Sequence, residues 1–86
     1  MEMRKHQPES LQLRLMIKGF RGIFAKELKK ARIKKSLSQM ELSFIIGCDQ
    51  NYISRLENGK INASIDTLLK LSYYLDLWIK FEEKNV

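Results

Sequence analysis

The sequence has 86 residues, of which 44% are hydrophobic and 30% are charged, a balance typical of one small globular domain and not of a disordered chain. It contains no run of 18 apolar residues, so we expect no membrane-spanning helix. The formal net charge is +6, and the segment from Arg14 to Lys35 holds nine basic residues against one acid, Glu27. This one-sided charge favours a polyanionic partner, either a nucleic acid or an anionic membrane.

Cysteine and histidine are too few for a disulfide within the chain or for a metal centre. Cys48 is the only cysteine and His6 the only histidine, whereas a structural zinc site needs four ligands. We therefore expect no metal and no cofactor. A single free thiol favours a reducing compartment, which predicts a cytoplasmic protein in which Cys48 is a small packed side chain. The sequence holds no nucleophile–base pair and no glycine-rich phosphate loop, so we do not expect an enzyme.

The N-terminal region is predicted to hold a tail and a strand. Residues 1–10 are polar and contain the only proline, which indicates a flexible tail. Residues 11–18 alternate between apolar and polar side chains, a pattern that favours a half-buried strand, with a helical extension as the alternative. Gly19 and Gly22 predict a break after this arm, next to a main domain that spans residues 20–76.

The main domain is predicted to begin with two helices. The first starts near Ile23 and repeats its apolar residues at helical spacing, on a face formed by Phe24, Leu28 and Ala31. The second helix begins at Ser38, which can form a capping box with Glu41. Gly47 is expected to end that helix in the left-handed conformation.

Two further helices and a strand follow. Asp49 is expected to cap a third helix, which Asn58 and the next glycine end. Ser64 is expected to cap a fourth helix that ends at Asp76, a residue type that visits the left-handed region more readily than most. Residues 77–86 begin with alternating hydrophobicity and predict a short C-terminal strand that serves dimerisation.

The third predicted helix carries the clearest functional signal. It follows a tight turn and is apolar only at Ile53 and Leu56, while its other face is polar and includes Gln50, Asn51, Ser54 and Arg55. Such a face suits the major groove of DNA, where glutamine and asparagine bond to adenine and arginine bonds to guanine. The alternative, an ordinary solvated face, is disfavoured by the basic first helix beside it.

Three motifs resemble the helix-turn-helix of the phage Cro and cI repressors, the XRE family. They are Gln39-Met40-Glu41-Leu42, Ile46-Gly47 and the run from Tyr52 to Lys60. The resemblance covers the chain from about Phe24 to Leu77. It implies a mainly α, lambda-repressor-like bundle of four or five helices, here with short terminal strands, whose third helix enters the major groove.

The resemblance also implies roles for individual residues. The base-reading positions correspond to Gln50, Asn51 and Arg55, and Asp49 is a further candidate that could accept a hydrogen bond from cytosine. The positions expected to contact DNA phosphates are Ser38, Gln39, Tyr52, Asn58 and Lys60. Arg32 and Glu57 match a partly buried ion pair that joins the first helix to the end of the third, a structural role.

Among the departures from the family pattern, two apolar residues of the second helix stand out. Phe44 and Ile45 stand in the second helix at positions that are usually polar in the family. Either the predicted N-terminal strand covers them, or they form an exposed patch for a partner.

The sequence therefore predicts a sequence-specific, double-stranded DNA-binding transcriptional regulator, a dimeric repressor that occupies a palindromic operator. The homodimer would form by pairing of the C-terminal strands, with residues 11–18 adding a second strand. Its interface would contain Leu77, Trp78, Ile79 and Phe81. A HipB-like antitoxin with a toxin partner, a phage repressor and a restriction–modification controller all remain open, and no membrane partner is expected. The alternative function is a protein-interaction module of this fold without DNA binding.

Overall fold

The computed structural model describes residues 10–78. They form four helices and no strand: α1 (Leu11–Lys34), α2 (Gln39–Ile46), α3 (Gln50–Glu57) and α4 (Ile65–Leu75). The predicted mainly α, helix-turn-helix class is confirmed. Residues 1–9 of the predicted flexible tail and most of the predicted C-terminal strand, including Ile79 and Phe81, lie outside the described residues.

The ends of α2, α3 and α4 follow from local hydrogen-bond chemistry. Before α2, Ser38 Oγ accepts a hydrogen bond from the Glu41 backbone N–H, and the Ser38 N–H donates to the Glu41 carboxylate, so the predicted capping box is present. Gly47 ends α2 at φ 80°, which glycine adopts without steric cost. Asp49 and Ser64 cap α3 and α4 as predicted.

The predicted strand at residues 11–18 is wrong, because α1 begins at Leu11 and continues through Gly19 and Gly22. Ser10 caps it by accepting a hydrogen bond from the Leu13 N–H at 3.1 Å. Eight residues are too few to separate a period of 2 from one of 3.6 when leucine recurs so often. Leucine, methionine, glutamine, arginine and lysine are also all good helix formers, and a glycine inside a helix costs only about 1 kcal/mol. The predicted break and the strand pairing at this end are therefore wrong as well.

The core lies where the four helices meet. Its buried side chains come from every helix: Leu28, Leu42, Ile46, Ile53, Leu56, Leu71 and Leu75. The helices α2 and α3 have only eight residues each, too few to be stable alone in water. Packing against α1 and α4 therefore holds them in place. None of the four helices is long and apolar enough to cross a bilayer.

Candidate nucleic-acid interface

The recognition candidate is α3, which is buried on one side only. Ile53 and Leu56 are fully buried in the core, and they fix the rotation of α3 about its own axis. Gln50, Asn51 and Arg55 are exposed on the rest of its surface. Three side chains with the chemistry for reading adenine and guanine thus lie together on a helix whose orientation the core determines.

Asp49 stands at the N-terminus of α3 and bonds to its backbone. Its Oδ1 accepts a hydrogen bond from the Asn51 N–H at 2.7 Å, which satisfies one of the donors that every helix start leaves free. The negative charge also matches the positive end of the helix dipole. Asp49 is therefore occupied as a cap, and only the remaining lone pairs of its carboxylate could accept from a base.

A buried ion pair joins α1 to the end of α3. Arg32 Nε donates to Glu57 Oε2 at 2.6 Å, Arg32 Nη2 donates to Glu57 Oε1 at 2.9 Å, and Arg32 Nη1 donates to the Leu37 carbonyl at 2.7 Å. Both residues are only 8% exposed. The hydrogen bond that Arg32 donates to Glu57 raises the pKa of Arg32 above its ordinary value, with burial acting in the opposite direction. The two side chains that sequence reasoning paired are thus in bidentate contact.

Gln39, the first residue of α2, is tied into the same network. Its Nε2 donates to Glu57 Oε1 at 3.2 Å, so the start of α2 is held against the end of α3. An amide nitrogen carries two protons, and the second remains available for a phosphate. Gln39 can therefore brace α3 and contact the DNA backbone at the same time.

Ser38 is exposed beside Gln39 and has its own spare donor. Within the capping box its hydroxyl oxygen is used as an acceptor, which leaves the hydroxyl proton free to donate. The Ser38 backbone N–H bonds to Glu41, and this contact lowers the pKa of that carboxyl below its ordinary value. Tyr52 of α3 is half-buried and packs against the core.

The loop after α3 contains the other predicted phosphate contacts. Lys60 is exposed, and its backbone N–H bonds to the Arg55 carbonyl at 3.0 Å. Asn58 Nδ2 donates to the Ser54 carbonyl at 2.8 Å, so its amide stabilises the end of α3. The same nitrogen also lies 3.5 Å from Ser54 Oγ. Sequence reasoning expected Asn58 to contact phosphate and did not foresee that its amide bonds to Ser54.

Two residues of this region were missed. Arg21 of α1 donates from Nε to Asn62 Oδ1 at 2.7 Å and thereby links α1 to the loop after α3. The two residues are 41 positions apart, and neither the spacing nor the periodicity of the sequence marks them as partners.

Phe44 and Ile45 do not lie under an N-terminal strand. Phe44 is 83% exposed and Ile45 is 42% exposed. The segment that was expected to cover them belongs to α1 instead, so of the two sequence-based interpretations the buried one is wrong.

Of the predicted dimerisation residues, Trp78 is 96% exposed, and Leu77 is half-buried and packs against the core.

The sequence matches the helix-turn-helix family HTH_3 over residues 28–77. The chain belongs to this helix-turn-helix family. Its functional assignment is accordingly DNA-binding transcriptional regulation. The matched region contains α2, α3 and α4 but only the C-terminal part of α1, so residues 11–27 of α1 precede it.

Two sequence relatives support this assignment of the helix-turn-helix domain. The control protein C.BamHI of Bacillus amyloliquefaciens is 34% identical over 58 residues, which cover 66% of this chain and 72% of that protein. An uncharacterized HTH-type transcriptional regulator of Haemophilus influenzae is 38% identical over 53 residues, which cover 62% of this chain and 54% of that protein.

A solved structure shows the same fold. The restriction–modification controller protein C.AhdI of Aeromonas hydrophila superposes with a TM-score of 0.65 at 35% sequence identity. The superposition covers 70% of this chain and 91% of that one.

Proposed function

We propose that this chain is a dimeric controller of restriction–modification genes that binds a palindromic operator and represses or adjusts transcription from it. The observation that supports the proposal is the exposed face of α3, where Gln50, Asn51 and Arg55, the candidates for base reading, lie opposite a fully buried side. The similarity to C.BamHI and to C.AhdI favours a controller over the antitoxin and the phage repressor that the sequence also allowed.

Base recognition would come from three side chains of α3. Gln50 and Asn51 can each bond bidentately to adenine, and Arg55 can bond bidentately to guanine. Each such pair contributes about 1–3 kcal/mol of discrimination against the wrong base. Asp49 would favour a cytosine amine with the acceptor capacity that its capping bond leaves free.

Backbone contacts would hold α3 in register with the bases. The donors proposed for this role lie at both ends of the helix-turn-helix: Ser38 and Gln39 at the start of α2, and Asn58 and Lys60 after α3. Tyr52 is the fifth proposed contact. Such bonds to phosphates position a protein on the duplex without reading its sequence.

Two subunits would read the two halves of the operator. A dimer of this kind places its recognition helices about 34 Å apart, one turn of DNA. The proposed interface starts from the exposed Trp78 and continues through Leu77, Ile79 and Phe81. The nearby exposed faces of Leu69 and Tyr73 on α4 line one groove with Trp78, and they would enlarge the apolar area that a partner subunit could bury.

The decisive experiment separates sequence reading from backbone binding. Operator duplexes would be selected by the wild-type protein from a randomised library. Ala variants of Gln50, Asn51 and Arg55 should weaken operator binding by about 1–3 kcal/mol each and leave binding to random duplex nearly unchanged. Lys60→Ala should weaken both alike, whereas Lys26→Ala, an exposed cation of α1, serves as the charge control. Equal losses on both duplexes for the α3 variants would contradict base reading.

The dimer is tested separately by mass in solution. Light scattering would compare the wild-type chain with Trp78→Ala and with a chain that ends at Asp76. We expect a dimer for the wild-type chain and a shift towards monomer for both variants. A truncated chain that dimerises as well as the parent would rule out this interface without affecting the proposal for α3.

A further inference from the structure

The first turns of α1 form a second positively charged surface, separate from the helix-turn-helix. Residues 11–27 of α1 precede the region that matches the family. Within them Arg14, Lys18 and Arg21 are spaced four and three residues apart, so they lie on one side of the helix. We call these three residues the cationic stripe. Residues 10–26 contain no acidic residue, so no carboxylate of this segment offsets their charge.

Arg21 fixes where the cationic stripe lies relative to the DNA-binding unit. Its Nε donates to Asn62 Oδ1 at 2.7 Å, in the loop that follows α3. The same part of α1 approaches Gly59, because a Cβ on that glycine would lie 3.7 Å from the Arg21 carbonyl oxygen. The stripe therefore begins beside the loop that carries Lys60, a proposed phosphate contact.

From this point the stripe leads away from the helix-turn-helix. Arg14 lies seven residues before Arg21, two helical turns, so both point in nearly the same direction about 10 Å apart along the axis. That length corresponds to about three base pairs, since phosphates on one strand recur every 3.4 Å along the DNA axis. Both Arg14 and Lys18 are exposed. The stripe can thus reach phosphates more distant from α3 than those that the loop can reach.

The opposite side of the same turns is apolar and exposed. Met16 is 55% exposed, Phe20 67% and Ile23 65%. The first turns of α1 are therefore amphipathic: the three cations of the stripe lie on the side that is tied to the loop after α3, whereas Lys26, further along α1, lies outside the stripe. Helices of this composition can also lie on anionic membranes. The bond from Arg21 to Asn62 favours DNA, because it aligns the stripe with the proposed phosphate-binding loop.

We propose that the cationic stripe binds the phosphates of DNA that flanks each operator half-site and so extends the contact beyond the base pairs read by α3. The proposal rests on the proposed function of the chain as an operator-binding dimer. It adds a sequence-independent contact outside the operator, supplied by a segment that precedes the family match. The flanking DNA would contribute affinity and salt dependence but no base preference.

The test compares duplexes with and without flanking DNA. One duplex would contain only the library-selected operator, and the other would add ten base pairs at each end. The double variant Arg14→Ala/Lys18→Ala leaves Arg21 and its bond to Asn62 intact. The control, Lys26→Ala/Lys30→Ala, removes the same charge from the other side of α1, since these lysines lie about 140° and 180° around the helix from Arg21. Circular dichroism would verify that both variants are folded.

We expect the wild-type protein to bind the long duplex more tightly and with a steeper dependence of log K on log salt. The double variant should lose about 2 units of that slope per subunit on the long duplex, at about 0.9 per phosphate, and should match the wild type on the short one. The control variant should keep the difference between the two duplexes.

Three results would overturn the proposal, and they are distinguishable. If the wild type binds both duplexes with the same slope, the flanking contact does not exist, although operator binding stands. If the double variant keeps the slope of the wild type on the long duplex but loses binding to phosphatidylglycerol vesicles, the stripe is a membrane contact. If the wild type prefers no duplex in the library, the proposed function fails and the flanking contact fails with it.

Discussion

Removing the carboxylate of Glu57 should destabilise the domain more than any other change of one polar side chain that we consider. Glu57 accepts two hydrogen bonds from Arg32 and one from Gln39. In Glu57→Ala the guanidinium of Arg32 would stay buried with the Leu37 carbonyl as its remaining acceptor. Leaving one member of a buried pair without its partner costs about 3–5 kcal/mol. A chain of this length has only about 4–13 kcal/mol of stability in total, so the variant should lose a large part of its free energy of unfolding and unfold at a much lower urea concentration than the wild type.

The assay is urea denaturation followed by circular dichroism, arranged as a double-mutant cycle. Arg32→Met should be destabilised by a similar amount, because Glu57 is then buried without its cation. The double variant Arg32→Met/Glu57→Ala should be less destabilised than the sum of the two single changes, since neither charge is left buried. The Glu57 variant should also weaken operator binding, because Gln39 loses the partner that holds the start of α2 against α3.

An exposed pair provides the matched control. Lys35 and Asp76 form an ion pair at the surface, with side chains 40% and 72% exposed. The cycle built from Lys35→Gln and Asp76→Asn should give a coupling energy of at most about 1 kcal/mol, as is usual for solvated pairs. A coupling energy for Arg32 and Glu57 that is no larger than this control would refute the reasoning from burial.

Three further predictions concern single sites. Gly47→Ala should lower the free energy of unfolding by about 1–2 kcal/mol, because φ is 80° there. Gly22→Ala lies within α1, where no atom is near the added Cβ, and should raise the free energy of unfolding by about 0.5–1 kcal/mol. A loss of stability at both sites would contradict the described backbone. The hydrogen bond that Glu41 accepts from the Ser38 N–H lowers the pKa of the Glu41 carboxyl. The ionised carboxylate therefore stabilises the fold above the unfolded pKa of about 4.3. The stability advantage of the wild type over Glu41→Gln should disappear as the pH falls through the lowered pKa of the folded state. Burial raises the pKa of the Cys48 thiol, with Asp49 adding to the effect, so iodoacetamide should alkylate Cys48 more slowly in the folded than in the urea-unfolded chain.

The features that could be predicted from sequence were those that depend on neighbouring residues. Ser38 and Glu41 form their capping box within four positions, and Gly47 ends α2 because glycine adopts a positive φ without steric cost. For α2, α3 and α4, the residues that cap the helix could therefore be predicted from the sequence. The start of α1 was misread because its leucines satisfy two periodicities and its glycines are compatible with helix. Packing against the core, which would have decided between strand and helix, is not visible in eight residues.

Contacts between distant residues could be predicted only where a family resemblance supplied them. The pairing of Arg32 with Glu57 was expected on that ground, and the two residues are in bidentate contact. The bond from Arg21 to Asn62 has no counterpart in the motifs that carry the resemblance, so nothing in the sequence indicated it. The exposure of Phe44 was misjudged for the same reason, since it depended on where a separate segment would lie.

The two distant contacts of α1 together determine how the recognition surface is held. Arg32 bonds to the last residue of α3, and Arg21 bonds to the loop that follows it. The two attachment points are eleven residues apart, about 16 Å along one helix, so a single rigid element fixes both the end of α3 and the loop that carries Lys60. Base-reading and phosphate-binding side chains must be positioned together for a register on DNA to be defined. Since α2 and α3 are each too short to be stable alone, α1 holds the proposed base-reading surface in place, although none of the proposed base-reading residues belongs to it.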